Sequence, residues 1–177
     1  MDNQELEQLK YPIGKLKISS PIEMDQINEW IIEIESFPAA LENLTSDLSP
    51  SQVNQTYRPD GWTVKQVVHH CADSHMNALS RFKLSLTEDT PTIKPYMEGL
   101  WAELLDSKDD DISYSLKLIE GIHYRWVHLL SSMKEADFQR SFQHPEYGKN
   151  YGLDFTTGLY AWHGNHHLGH IKLALKG

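Results

Sequence analysis

The order of apolar and polar residues along the chain predicts four long amphipathic helices joined by irregular connections. Ile27, Trp30, Ile31 and Ile34 recur at spacings of three and four, the period of a helix with one buried stripe. Ser20-Pro21-Ile22-Glu23 just ahead has the form of a helix start: a capping serine, a proline tolerated at the first position, and a glutamate able to reach back. Pro38 predicts a kink or interruption, with the helix resuming through Leu41 and Leu44. Ser49-Pro50 predicts a short helical turn. Thr63-Val64-Lys65-Gln66 is another capping-box pattern, opening a helix over about 64–86. Its apolar stripe is Val64, Val67, Val68, Cys71, His75, Ala78 and Phe82.

A Pro-containing connection, Thr90-Pro91 to Lys94-Pro95, leads to one or two predicted turns around residues 98–105. A third long helix, about 113–133, carries Leu116, Ile119, Ile122, Trp126, Leu129 and Leu130. The acidic run Asp109-Asp110-Asp111 ahead of it reads as a solvated helix start, where negative charge suits the helix dipole. Residues 141–153, rich in Gly, Pro, Tyr and Asn, predict a loop or short hairpin, and Asp154 is placed to cap a last helix running to about 175. Residues 1–19 predict an irregular arm laid over the body. The sum is an all-α bundle, a class in which metal sites form from side chains on facing helices.

Composition narrows the setting. A chain of 177 residues without a linker or repeat is read as one domain, 1–177, able to bury a full core without disulfides. The net charge of −9 and the lack of any Lys/Arg run exclude nucleic acid as the main partner, and an anionic membrane surface with it. One cysteine, Cys71, excludes an internal disulfide and suits a reducing cytosol. No signal-peptide pattern opens the chain and no stretch approaches 18 apolar residues, so the expected location is the cytoplasm.

Histidine is where chemistry enters. In Trp162-His163-Gly164-Asn165-His166-His167-Leu168-Gly169-His170, His163 and His167 stand four apart, as do His166 and His170. Residues i and i+4 on a helix have Cβ atoms roughly 6 Å apart, so two imidazoles can reach one ion. The four rings project at about 0°, 300°, 40° and 340°, within one arc, and either pair is geometrically possible. The second cluster, Val67-Val68-His69-His70-Cys71-Ala72-Asp73-Ser74-His75, lies on another predicted helix. His69 and His70 point about 100° apart, so at most one faces such a site. His75, on the apolar stripe, suits a buried structural or supporting role. Three histidines would leave a coordination position open, which fits a catalytic metal better than a structural one.

Arg58-Pro59-Asp60-Gly61-Trp62-Thr63-Val64-Lys65-Gln66-Val67-Val68-His69-His70-Cys71-Ala72-Asp73-Ser74-His75-Met76-Asn77 resembles the signature of the DinB/YfiT-like metalloprotein superfamily, most closely its YfiT branch. Tyr11-Pro12-Ile13-Gly14-Lys15, Arg81 to Glu88 and Tyr160-Ala161-Trp162-His163 resemble it too, so the likeness spans nearly the whole chain. The resemblance implies an up-and-down four-helix bundle with three histidine ligands from the second and last long helices. It implies His70, eight residues after Trp62, and His163 and His167, the pair following Tyr-x-Trp. The YfiT branch is denser in histidine just after the first C-terminal ligand, where this chain has Gly164-Asn165; neither is a ligand position. Gly158, Gly164 and Gly169 lower helix propensity and are expected to mark close helix packing.

The resemblance further implies a metal-dependent hydrolase acting on a small-molecule substrate, with water activated by one divalent ion, nickel or zinc, as nucleophile. Asp73 and His166 are the candidates for acid–base work, Asp73 also for orienting a ligand imidazole. Cys71 is expected to be an inert core thiol. The wider superfamily suggests a second reading, a thiol S-transferase using a low-molecular-weight thiol of the bacillithiol or mycothiol kind, with Arg58, Lys65 and Arg81 as candidate contacts for its carboxylates. A third is a metal-binding stress protein without turnover, closed by a fourth ligand, His75 or Glu98. Aromatic-rich helices could support a homodimer.

Overall fold

The computed structural model describes residues 2–176. Four long helices dominate it: α2 (Met24–Thr45), α4 (Val64–Thr87), α6 (Ser113–Ser132) and α8 (Leu153–Lys176). Short helices α1 (Asn3–Lys10), α3 (Pro50–Val53), α5 (Glu98–Trp101) and α7 (Glu135–Phe138) and a 3-10 turn (Asp106–Lys108) fill the connections. The expected hairpin is present: β1 (Ser141–His144) pairs antiparallel with β2 (Lys149–Gly152), Phe142 opposite Tyr151.

The four-helix bundle is as expected. Around it the helices run α2, α6, α4, α8. Consecutive α2 and α4 therefore face each other across the diagonal, as do α6 and α8. The long connections follow from this order, because the chain must cross the end of the bundle to reach its next place. The arrangement sets α4 beside α8, which brings the two histidine clusters onto facing helices.

Several starts and stops are local. Thr63 caps α4 by accepting from Gln66 N, and Gln66 reaches back to Thr63 N at 3.0 Å. Ser49 and Gln52 do the same for α3. At α6, Asp111 accepts from Ser113 N at 3.0 Å, and Asp110 pairs with Lys65 at 2.6 Å.

Three expectations need correction. Residues 3–10 are helical rather than irregular, because Asp2 and Glu5 form a capping box at 2.8 Å in each direction. The Ser20–Glu23 box does not form: α2 begins at Met24 with Glu23 in the capping position and no side-chain cap, while Ile22 packs against the core. Pro38 does not interrupt α2, which runs unbroken to Thr45.

Apolar side chains divide into two clusters. One is built on Ile27, Ile34, Phe82, Trp126, Leu130 and Leu153; the other on Phe37, Leu41, Val64, Val68, Ile119 and Ile171. Phe82 and Trp126 are fully buried, with ring centroids 5.4 Å apart edge to face. Burial of each large side chain stabilises the fold by about 1.5–3 kcal/mol. Between the clusters lie two buried histidines: His75 is 5.0 Å from the Phe37 ring and 6.2 Å from Trp126, and His123 is 5.3 Å and 5.9 Å from the same two rings. A polar seam thus divides the apolar interior. Among the described residues no helix is long and apolar enough to cross a membrane.

Candidate metal centre

His70 on α4 and His163 and His167 on α8 converge at one end of a cleft of about 320 Å³. His163 Nε2 lies 3.3 Å from His70 Nε2 and 3.2 Å from His167 Nε2. Two imidazoles bound to one ion by nitrogen–metal bonds of about 2.0–2.1 Å in tetrahedral array would stand about 3.3 Å apart. Two of the three separations therefore match those at a shared divalent ion, and all three ligand atoms lie within 4.8 Å of one another. Among the described residues they are the one group of three potential ligands that comes together.

Burial keeps these rings neutral. It pushes His70 down to about 4, helped by the charge of His170, and holds His163 and His167 well below the usual histidine range. Desolvation is the larger cause in each, and the neighbouring imidazoles add to it. A neutral imidazole is the ligand form.

Other histidines are occupied elsewhere. His69, on the opposite side of its pair from His70, sits 2.8 Å from Ser115 Oγ and donates from Nε2 to the Asp109 carbonyl at 3.0 Å, tying α4 to the start of α6. His75 uses both nitrogens: Nε2 lies 3.1 Å from His163 Nδ1, and Nδ1 lies 2.7 Å from His123 Nε2. His123 Nδ1 meets the Ile34 carbonyl at 2.6 Å. His170 Nδ1 lies 3.4 Å from His167 Nδ1, and its Nε2 meets the Lys10 carbonyl at 3.1 Å. His75 is legible as a supporting residue from its place on the apolar stripe, and the same signal marks His123, four residues after Ile119 and three before Trp126.

Asp73, expected to orient a ligand or accept a proton, lies elsewhere. It does not line the cleft; its carboxyl is raised by burial and by the charge of Asp106, with His69 opposing. The turn at Asp106–Lys108 packs against α4, with the Asp106 charge near Asp73. His166 does line the cleft. Its ring stacks on Trp162 at 4.4 Å, and its Nδ1 is buried without a hydrogen-bond partner among the described residues.

Neither proposed fourth ligand closes the site, since His75 has both nitrogens engaged and Glu98 lines the cleft without joining the cluster. Trp62 packs on His70 at 4.7 Å, and Tyr160 on His163 at 5.5 Å. Tyr160 donates to the Ser74 carbonyl at 3.3 Å. Arg81, Tyr96, His144 and Glu146 also line the cleft. Of the three cations named for a carboxylate, only Arg81 lines the cleft: Lys65 is paired with Asp110, and Arg58 lies 5.4 Å from the Tyr57 ring and donates to the Pro59 carbonyl. Arg81 has no carboxylate within ion-pair distance among the described residues. Cys71 is fully buried and its thiol is held protonated by desolvation, which makes it a core residue.

The glycines of α8 do mark close packing. A Cβ at Gly164 would stand 2.8 Å from the Phe37 ring, and one at Gly169 would stand 2.8 Å from Pro12.

Comparison with known proteins agrees with this architecture. The DinB superfamily profile matches residues 33–171. A Bacillus cereus protein named "Putative metal-dependent hydrolase" is 51% identical over 163 residues, covering 92% of this chain and 93% of the relative. A protein of the same description from Oceanobacillus iheyensis is 51% identical over 167 residues, covering 94% and 96%. The solved structure of YfiT from Bacillus subtilis, described as a probable metal-dependent hydrolase with an unusual four-helix bundle topology, superposes with a TM-score of 0.92 at 46% identity, covering 96% of this chain and 97% of that one. A mycothiol-dependent maleylpyruvate isomerase shares the fold, with a TM-score of 0.65 at 14% identity over 82% of this chain and 60% of its own.

Proposed function

This chain belongs to the DinB superfamily, and on that premise we propose that it is a metal-dependent hydrolase of a small-molecule substrate. The observation that carries the reading is the convergence of three neutral imidazoles at 3.2 and 3.3 Å in an open cleft. His70, His163 and His167 are the ligands in this reading, and nickel and zinc are the ions that an all-imidazole set suits. A divalent ion held by neutral ligands supplies Lewis acidity, which makes water acidic enough to serve as a nucleophile near neutral pH.

The chain's own groups supply the rest. Trp62, Tyr160 and Trp162 line the cleft, and Trp62 and Tyr160 pack on His70 and His163. His166 is the side chain placed to accept a proton from the attacking water or to hand one to the leaving group. Arg81, which also lines the cleft, would orient an anionic part of the substrate.

The unpaired Arg81 also favours a second reading, transfer of a low-molecular-weight thiol whose carboxylate it would bind. Elemental analysis of the purified protein beside His163→Ala tests the ligand set first. One equivalent of nickel or zinc, lost in the variant, is expected; a native protein that neither carries nor takes up either metal overturns both readings. Turnover of esters or amides without added thiol then supports hydrolysis, and conjugation of an electrophile only with thiol present supports transfer.

A further inference from the structure

The two ligands on α8 are each tied to a backbone carbonyl, His163 through two further histidines and His167 through one. The direction of every bond in these chains is fixed by its end. A carbonyl can only accept. His123 therefore donates to Ile34 O from Nδ1, at 2.6 Å. A neutral imidazole carries one N–H, so His123 Nε2 must accept, and the 2.7 Å contact makes His75 Nδ1 the donor. His75 Nε2 then accepts in turn, and His163 Nδ1 donates to it at 3.1 Å. The proton of His163 is thereby placed on Nδ1, and its Nε2 is left bare toward the cleft.

The second chain runs in the same sense. The Lys10 carbonyl accepts from His170 Nε2 at 3.1 Å, so His170 Nδ1 accepts from His167 Nδ1 at 3.4 Å. His167 Nε2 is also left bare. Both terminal carbonyls are free for local reasons. Pro38 has no N–H to return to Ile34, and Lys10 ends α1, where carbonyls lack a helical partner. Burial disfavours the charged form of His75 and His123, so the one-proton count holds along the first chain.

One contact then changes its meaning. His163 Nε2 and His167 Nε2 stand 3.2 Å apart. With both protons held on Nδ1, no hydrogen lies between them, and two lone pairs face each other at hydrogen-bond distance. Such a pair repels unless a cation sits between. His70 belongs to neither chain and is left to adapt its proton to what the other two present.

We infer that the chains Ile34–His123–His75–His163 and Lys10–His170–His167 set the tautomers of the two α8 ligands, which makes His75, His123 and His170 positioning residues of the metal centre. This rests on the three-histidine reading. Its consequence is a site whose ligands are already in the binding tautomer before an ion arrives, so that capture needs a proton to move on His70 alone.

Long-range proton–nitrogen correlation spectra of the chelator-stripped, histidine-labelled protein read the tautomers directly. His75, His123, His163 and His167 are expected as Nδ1–H and His170 as Nε2–H. Finding His163 or His167 protonated on Nε2 overturns the inference, whatever the metal content. Zinc affinity by dye competition gives the second readout. His75→Leu should weaken it about 10- to 100-fold, the usual effect of losing such a partner. His75→Gln should restore it to within a few-fold, since an amide can accept from His163 and donate to His123. Equal affinity for native protein and both variants, or equal loss in both, counts against the inference. Should His75→Leu fail to fold, the native spectra still decide. Failure of the native protein to bind zinc while its tautomers are as expected would strike the three-histidine reading and not the proton chains.

Discussion

Pro38 and His123 share one carbonyl. The proline leaves Ile34 O without its helical N–H, and the Nδ1 of His123, from α6, meets that oxygen at 2.6 Å. The tertiary donor replaces the local one, which is why α2 passes through the proline unbroken.

The pair is therefore expected to be coupled in stability. His123→Phe strands two buried polar groups, Ile34 O and His75 Nδ1–H, at about 1–3 kcal/mol each. Adding Pro38→Ala returns a backbone donor to the carbonyl. The double variant should recover about 1 kcal/mol beyond what Pro38→Ala contributes alone. Urea unfolding of the four proteins of the cycle measures this, and strictly additive effects would show the link to be absent.

Substitution of the converging histidines should separate ligands from neighbours. His70→Ala, His163→Ala and His167→Ala are each expected to abolish zinc or nickel retention, with the helical circular dichroism spectrum preserved. His69→Ala should retain the metal. His166→Ala should also retain it while lowering turnover about a hundredfold, the lower end of the range expected for a positioned proton carrier. Loss of metal from His166→Ala with retention in His163→Ala would point to the other four-apart pair.

Acid should destabilise the metal-free fold over a definite window. An unfolded histidine titrates near 6.5, whereas burial holds His70, His123, His166 and His170 near about 4 in the folded protein. Between these values the unfolded chain binds more protons, so stability rises with pH through the window. It is lost as pH falls from about 6.5 through about 4. Melting temperatures of the stripped protein should be level above pH 7 and drop steeply below 6, with more than one proton taken up per unfolding event. A melting temperature that does not change between pH 7 and pH 4.5 would contradict the burial of these rings.

Gly164→Ala improves intrinsic helix propensity yet should destabilise. The added Cβ would stand 2.8 Å from Phe37, whose ring packs on both His75 and His123. Overpacking of this kind costs typically about 1–3 kcal/mol. A thermal melt checks it, and a rise in melting temperature would mean that Phe37 moves aside freely.

Arg81→Gln should leave metal content unchanged. Its expected effect is to raise KM for anionic substrates more than for neutral ones, with kcat on neutral substrates close to native. Equal change on both classes would remove Arg81 from substrate recognition.

The sequence carried its local signals faithfully where the decisive contacts are local. Thr63 with Gln66 and Ser49 with Gln52 each act within a turn or so of helix and can be read from spacing. Spacing left His163 with His167 level with His166 and His170, and the family resemblance singled out the first pair. Asp2 with Glu5 is the same kind of capping signal. Elsewhere the outcome was decided at a distance. Pro38 reads as a break until His123, 89 residues from Ile34, supplies the missing donor. His75 and His123 are 48 residues apart, and no periodicity connects them. Asp73 stands three residues after His70, yet it does not line the cleft that His70 lines, which spacing alone did not decide.

The placement of α4 against α8 has a consequence for biosynthesis. His70 and His163 are 93 positions apart. Until the last helix has been made and has docked, the chain offers at most a four-apart pair on one helix, and no three of these histidines can converge on one ion. On the proposed three-histidine reading, loading would follow synthesis and folding instead of guiding them. The selection of an ion would then fall to a finished bundle, exposed to whichever ions the cell holds free.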